Sequence, residues 1–147
     1  METIAANPAG QTYALCTAIL ALKMILSAFW TSTCRLRHRG FVNPEDAEAF
    51  AGGTTVPEQE HPAVARALRI QRNDVENIPA FFAVGLVYVL LGASPFGATV
   101  YLGTYTAARV LHTIVYMAGL QPWRAICYGV GVLCMLGMIA QILKQTL

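Results

Sequence analysis

Residues 65–79 set a polar stripe at the mouth of an uncharged helix, and few folds can house that arrangement. Arg69, Arg72, Asn73 and Glu76 fall at i, i+3, i+4 and i+7, the repeat of one helical face. The same helix is expected to continue through residues 78–91, which carry no charge. Composition says which solvent that apolar stretch meets. Charged residues make up 12% of the 147, against about 25% in a soluble domain. Hydrophobic residues reach 56% and the mean hydropathy is +0.51. The chain therefore reads as one membrane-embedded domain. Ionisable groups at the edge of a membrane span are costly, which makes the stripe a functional candidate by default.

The other spans follow from the same pattern. The first span runs over about 12–36; its residues 12–34 are apolar apart from Lys23, and the basic run Arg35, Arg37, His38 and Arg39 closes it. A lysine inside a span needs a partner, water or an interface. Residues 40–61 are a hydrophilic connection holding Asn43, Pro44, Glu45, Asp46, Gly52 and Gly53, long enough to serve as a cap. The second span runs over about 62–91, with Pro62 suited to its first turn and Pro79 expected to kink it. Spans over about 96–118 and 123–143 complete the set. At ~1.5 Å per residue and ~20 residues per crossing, the expected architecture is all-α, a four-helix transmembrane bundle. Glu2 and the missing basic n-region argue against a cleaved signal peptide. Cys16, Cys34, Cys127 and Cys134 lack metal or redox spacing and read as small core hydrophobes.

Lysine and arginine orient the bundle. Arg35, Arg37, Arg39, Arg66 and Arg124 lie at or near the first and third connections, and the other side has only Lys144. The positive-inside rule puts those connections in the cytosol and both termini on the opposite side. Polar faces then converge at one depth. Tyr105, Arg109, His112 and Tyr116 repeat on one face of the third span, and Arg124 with Tyr128 opens the fourth. The convergence reads as a pocket open to the cytosol, with Arg35, Arg69, Arg72, Arg109 and Arg124 set against Glu76. Arginine forks favour carboxylates, phosphates or a thiolate. Glutathione fits that inventory, with two carboxylates, an amine, peptide groups and an acidifiable thiol. Nucleotides and anionic lipid heads fit the charge as well.

Three stretches carry a family resemblance. Residues 69–78 (RIQRNDVENI) and 109–116 (RVLHTIVY), together with Phe41-Val-Asn-Pro-Glu-Asp46, resemble the membrane-associated proteins in eicosanoid and glutathione metabolism, the MAPEG family. The resemblance spans essentially the whole chain and points to the branch holding microsomal glutathione transferases and membrane prostaglandin E synthases. It implies a homotrimer with glutathione bound between subunits near the cytosolic surface. It also implies that Arg35, Arg69, Arg72, Asn73, Glu76, His112, Tyr116, Arg124 and Tyr128 line that site. Arg124 would stabilise the thiolate, and Asp46 would be its accessory neighbour. Two departures from the pattern stand out: Ile70-Gln71 replaces a frequent Ala-His, and Ala125 replaces a serine found beside the arginine in the prostaglandin synthase.

Structural readings compete at several positions. Arg37 and Arg39 read as topology signals, and Tyr105 as an interfacial aromatic. Asp74 points off the stripe, where it would pair with an arginine or cap the loop. A metal site from His112, Asp74 and Glu76 is disfavoured because arginines repel the cation. The expected function is a membrane glutathione transferase, extending to peroxidase action on lipid hydroperoxides, with a lipophilic electrophile as the second substrate. The near alternative is a prostaglandin-E-synthase-type isomerase. From another class, a four-span exporter of lipophilic cations would couple through Glu76. No nucleic-acid partner is expected.

Overall fold

The computed structural model describes residues 6–51 and 60–147 and is helical throughout, with no strand among them. Glu2, Gly52 and Gly53 lie outside the described residues. The helices are α1 (Pro8–His38), α2 (Pro44–Ala51), α3 (Pro62–Leu90), α4 (Pro95–Ala98), α5 (Thr104–Ala118) and α6 (Trp123–Thr146). Between α4 and α5 a π-helical turn spans Thr99–Gly103. By length and composition, α1 and α6 are long and apolar enough to cross a membrane.

The helices begin and end where local chemistry dictates. Pro44 opens α2, and Glu45 and Asp46 occupy its first turn, where carboxylates suit the positive end of the helix dipole. The hydrophilic connection thus contains a helix, seated by burial of Phe41 with Ala47. Helix α1 closes through Arg39, whose φ of 51° lies in the left-handed region, so that Gly40 N donates to Arg35 O at 3.0 Å. Helix α5 ends at Gly119, with φ of 72°. Gly119 N donates to Tyr116 O and Leu120 N to Val115 O, the paired bonds of a Schellman closure. Helix α3 runs on through Pro79, which cannot donate to the carbonyl one turn back.

Two compact units divide the residues, with α1 and α3 each contributing to both. One comprises the described residues up to Lys23 together with Glu76–Leu147. There α5 packs along α6, and Tyr13 of α1 donates its hydroxyl to the Phe82 carbonyl of α3 at 2.8 Å. Phe81, Leu102, Tyr105 and Met138 are fully buried. Tyr105 is therefore a core residue, correcting the reading of it as an interfacial aromatic. Its ring stacks on Phe81 at 4.2 Å, which removes it from the surface.

The second unit is Met24–Val75. Val64 and Ala67 of α3 pack with Cys34 of α1. Asp74 is buried and accepts a hydrogen bond from Ser27 Oγ at 2.8 Å. His61 caps α3, its Nδ1 accepting from Ala63 N at 3.2 Å. The same imidazole stacks on His38 at 3.8 Å and 9°. His38 is held below the ordinary imidazole value by desolvation, then by the charges of His61 and Arg37. Cys16, Cys34 and Cys134 are buried free thiols, as small core hydrophobes should be, and Cys127 is half-buried.

Candidate functional site

In the first unit α3, α5 and α6 supply one continuous row of rings and cations. Tyr105, Arg109, His112 and Tyr116 come from successive turns of α5, and packing α5 against α6 brings Arg109 and His112 to Tyr128 and Tyr116 to Arg124, while Tyr105 turns to α3. The Arg109 guanidinium lies 5.1 Å from the Tyr105 ring and 5.2 Å from the Tyr128 ring. Its Nη2 donates to Asn77 Oδ1 at 3.2 Å, while Tyr105 Oη donates to the Asn77 carbonyl at 3.0 Å. Arg109 is only 1% exposed. A buried cation of this kind needs hydrogen bonds and ring faces in place of water.

The row continues toward the start of α6. His112 is buried and meets Tyr116 edge-on at 5.6 Å and Tyr128 at 6.4 Å. Arg124 stands over the Tyr116 ring at 4.6 Å. With its oxygen turned to the guanidinium, the Gln121 amide accepts from Arg124 Nε at 3.1 Å. Arg124 is half-buried and Tyr128 is exposed, so the row runs from a sealed cation at Arg109 to an accessible one at Arg124. An accessible guanidinium braced by a ring and an amide can hold an anion in a fixed place.

The chain is a MAPEG protein. The MAPEG family model matches residues 13–144. Human prostaglandin E synthase is 37% identical over 143 residues, covering 97% of this chain and 93% of that protein. Human microsomal glutathione S-transferase 1 is 36% identical over 138 residues, covering 92% and 89%. Bovine prostaglandin E synthase is 37% identical over 134 residues.

Arg109, His112, Tyr116, Arg124 and Tyr128 are brought together, as their spacing on two helices requires. Glu76, in the same unit, is exposed. In the second unit Arg69 and Arg72 are exposed on α3, Asn73 is half-buried, and Arg35 near the end of α1 is half-buried. Arg35 Nε is nonetheless buried and has no hydrogen-bond partner among the described residues. Asp46 is exposed in the first turn of α2 and accepts from Asn43 Nδ2 at 3.1 Å.

Sequence reasoning missed Asn77, which anchors both Arg109 and Tyr105. A signal existed. Ile70, Asp74, Asn77, Ile78 and Phe81 fall at i, i+4, i+7, i+8 and i+11, a second face of α3 that threads two polar residues through an apolar row. Ile70, Asp74, Ile78 and Phe81 are all buried. Polar groups on a buried face must have partners, and Asn77 Oδ1 accepts from Arg109.

Proposed function

We propose that this MAPEG chain is an integral-membrane, glutathione-dependent transferase that uses the cosubstrate as its thiolate. Supporting this is the cation row ending at Arg124, together with the likeness to a microsomal glutathione S-transferase over nine-tenths of the chain. A guanidinium within about 4–6 Å of a thiol favours its anion and lowers its pKa by ~1–3 units. The thiol proton leaves to solvent. The thiolate then attacks an electrophilic carbon, forming a C–S bond as the leaving group departs with its electron pair. No protein nucleophile is needed, because the protein positions and activates the cosubstrate. With a lipid hydroperoxide, the thiolate attacks the terminal peroxide oxygen instead, giving a sulfenic acid and the lipid alcohol. A second glutathione converts the sulfenic acid to disulfide and water.

In this reading Arg124 stabilises the thiolate, and His112, Tyr116 and Tyr128 wall the sulfur end. Arg109 holds Tyr128 in place. Arg35, Arg69, Arg72, Asn73 and Glu76 bind the remaining glutathione groups, with Asp46 as an accessory residue. The buried, unpartnered Nε of Arg35 favours an anionic partner there. The assembly is a homotrimer of four-span subunits, with the site facing the cytosol and the termini on the other side. A lipophilic second substrate would arrive from the bilayer.

The likeness to prostaglandin E synthases over 97% of the chain favours a second reading, a glutathione-dependent isomerase. Ala125 counts against it, because its methyl cannot hydrogen-bond a thiol or a peroxide oxygen. The deciding experiment is glutathione binding to detergent-solubilised protein, followed by the ultraviolet absorbance of the thiolate. A thiolate band at neutral pH is expected, and bound glutathione without one would overturn the activation mechanism. Product analysis with a chlorodinitroarene, a lipid hydroperoxide and a prostaglandin endoperoxide separates the three chemistries.

A further inference from the structure

Within the first unit a cavity of about 410 Å³ opens where α3 ends and α4 begins. Tyr88, Ser94, Tyr101, Gln141 and Gln145 give it hydrogen-bonding groups, and none of its lining residues is charged. It is separate from the Arg109–Arg124 row. Tyr88 lies 11 residues beyond Asn77, Tyr101 lies 11 before His112, and Gln141 lies 13 beyond Tyr128. At ~1.5 Å of rise per residue, each helix puts roughly 16–20 Å between the two places.

Several features build this cavity. Tyr88 is only 4% exposed, and its hydroxyl has no hydrogen-bond partner among the described residues. Its ring meets Tyr101 edge-on at 6.0 Å and 85°. The hydroxyl fits only because position 97 is glycine: a Cβ there would stand 2.6 Å from Tyr88 Oη. A Cβ at Gly137 would likewise overlap the Tyr101 ring. Tyr101 and Val100 belong to the π-helical turn, a distortion that recurs at functional sites. Two glycines and a helix irregularity are thus committed to seating two tyrosines around a space with neutral polar walls. At the rim, Phe96 is 81% exposed, and Val100 is exposed as well.

We propose that this cavity is a second binding site, for the neutral hydroxyl- and ester-bearing head of a lipid. Tyr88 Oη can both donate to and accept from a hydroxyl or ester, and the two glutamine amides offer both capacities again. The lack of charged walls disfavours a carboxylate or phosphate, which would be buried without a counter-charge. The apolar rim assigns the source to the bilayer, a step that rests on the membrane-spanning reading. The volume falls in the usual range for small-molecule sites.

The test uses the full-length protein in detergent micelles and a monoacylglycerol with a diazirine next to its head group. Labelling should concentrate in peptides covering residues 88–101 and 133–147. It should be competed by 1-monooleoylglycerol, and not by oleate or glycerol at equal concentration. Tyr88→Phe removes only the hydroxyl and should weaken labelling about five-fold, the worth of one neutral hydrogen bond. Val100→Trp fills the mouth from an exposed position and should abolish labelling. Glutathione binding should be unchanged in both variants, because the two places are far apart. Labelling spread along the lipid-facing surfaces of α1 and α6, or insensitive to both substitutions, would overturn the proposal. Equal competition by oleate would overturn the neutral head, and equal competition by glycerol the lipid source. If Val100→Trp does not fold, Tyr88→Phe decides alone.

Discussion

The Arg109 guanidinium lies against the bare backbone of Gly131, where a Cβ would stand 3.1 Å from Nη2 and 3.2 Å from Nε. That approach lets a buried cation from α5 sit flush on α6, between two tyrosine rings and beneath Asn77.

The contact is testable by comparing two glycines on opposite sides of α6, Gly129 and Gly131. A Cβ at Gly129 would meet nothing within 4 Å, so Gly129→Ala should gain the ~0.5–1 kcal/mol that alanine is worth in a helix. Gly131→Ala gains the same propensity, but it must move a guanidinium pinned on three sides. Overpacking costs ~1–3 kcal/mol, so Gly131→Ala should be neutral to destabilised and should unfold below Gly129→Ala. Thermal unfolding in one detergent checks the order. Equal midpoints would mean that Arg109 yields freely.

Arg124 carries the proposed chemistry, and its removal should separate turnover from binding. Free thiols titrate near ~8.5, so without the cation most bound glutathione stays protonated at neutral pH. Arg124→Ala should lose most turnover near neutrality, recover part of it in alkali, and bind glutathione within several-fold of the unmodified protein. Arg124→Lys should keep some activity, since charge remains although the planar fork is lost. A pH–rate profile with a chlorodinitroarene and a binding isotherm read both. Normal turnover of Arg124→Ala at neutral pH would move thiolate stabilisation to another group.

The outward-facing residues of α3 should matter for affinity and not for the fold. Arg72 is exposed and Asn73 half-buried, so truncation disturbs little packing. Loss of a charge-assisted hydrogen bond to a ligand costs ~1.5–3 kcal/mol, about ten- to a hundred-fold in affinity. Arg72→Ala and Asn73→Ala should each weaken glutathione binding by such factors while oligomer size stays the same by light scattering. Unchanged affinity in both would remove the second-helix stripe from the site.

The stacked imidazoles make the junction of α1 and α3 acid-sensitive. His38 titrates below its ordinary value of 6.5 in the folded protein, so the unfolded chain binds its proton first as pH falls. The folded state binding fewer protons, stability rises with pH through this window. The contribution of the stack is complete above about pH 6.5 and declines below it. Hydrogen-exchange protection at the first turn of α3, corrected for the intrinsic rate at each pH, should fall as the pH is lowered from 7 to 5.5. A His61→Asn variant, which still caps the helix, should flatten that dependence.

Much of the protein is legible one helix at a time. Tyr105, Arg109, His112 and Tyr116 share a face because 3.6 residues make a turn, and no neighbour is needed to know it. The long apolar helices and the basic close of α1 follow from composition in the same way. What escaped was pairwise. Asn77 becomes the anchor of Arg109 only because α5 lies beside α3 in register, and nothing in residues 73–80 specifies which partner its half-buried amide will meet. Tyr105 has the composition of an interfacial residue and becomes core because Phe81 covers its face. The helix within the hydrophilic connection depends on Phe41 and Ala47 finding each other across five residues. Periodicity is a local property fixed by backbone geometry, so the sequence alone determined the helices and their polar faces. Burial depends on what another element brings within about 4 Å, so only the tertiary structure decided which cation is sealed and which remains open.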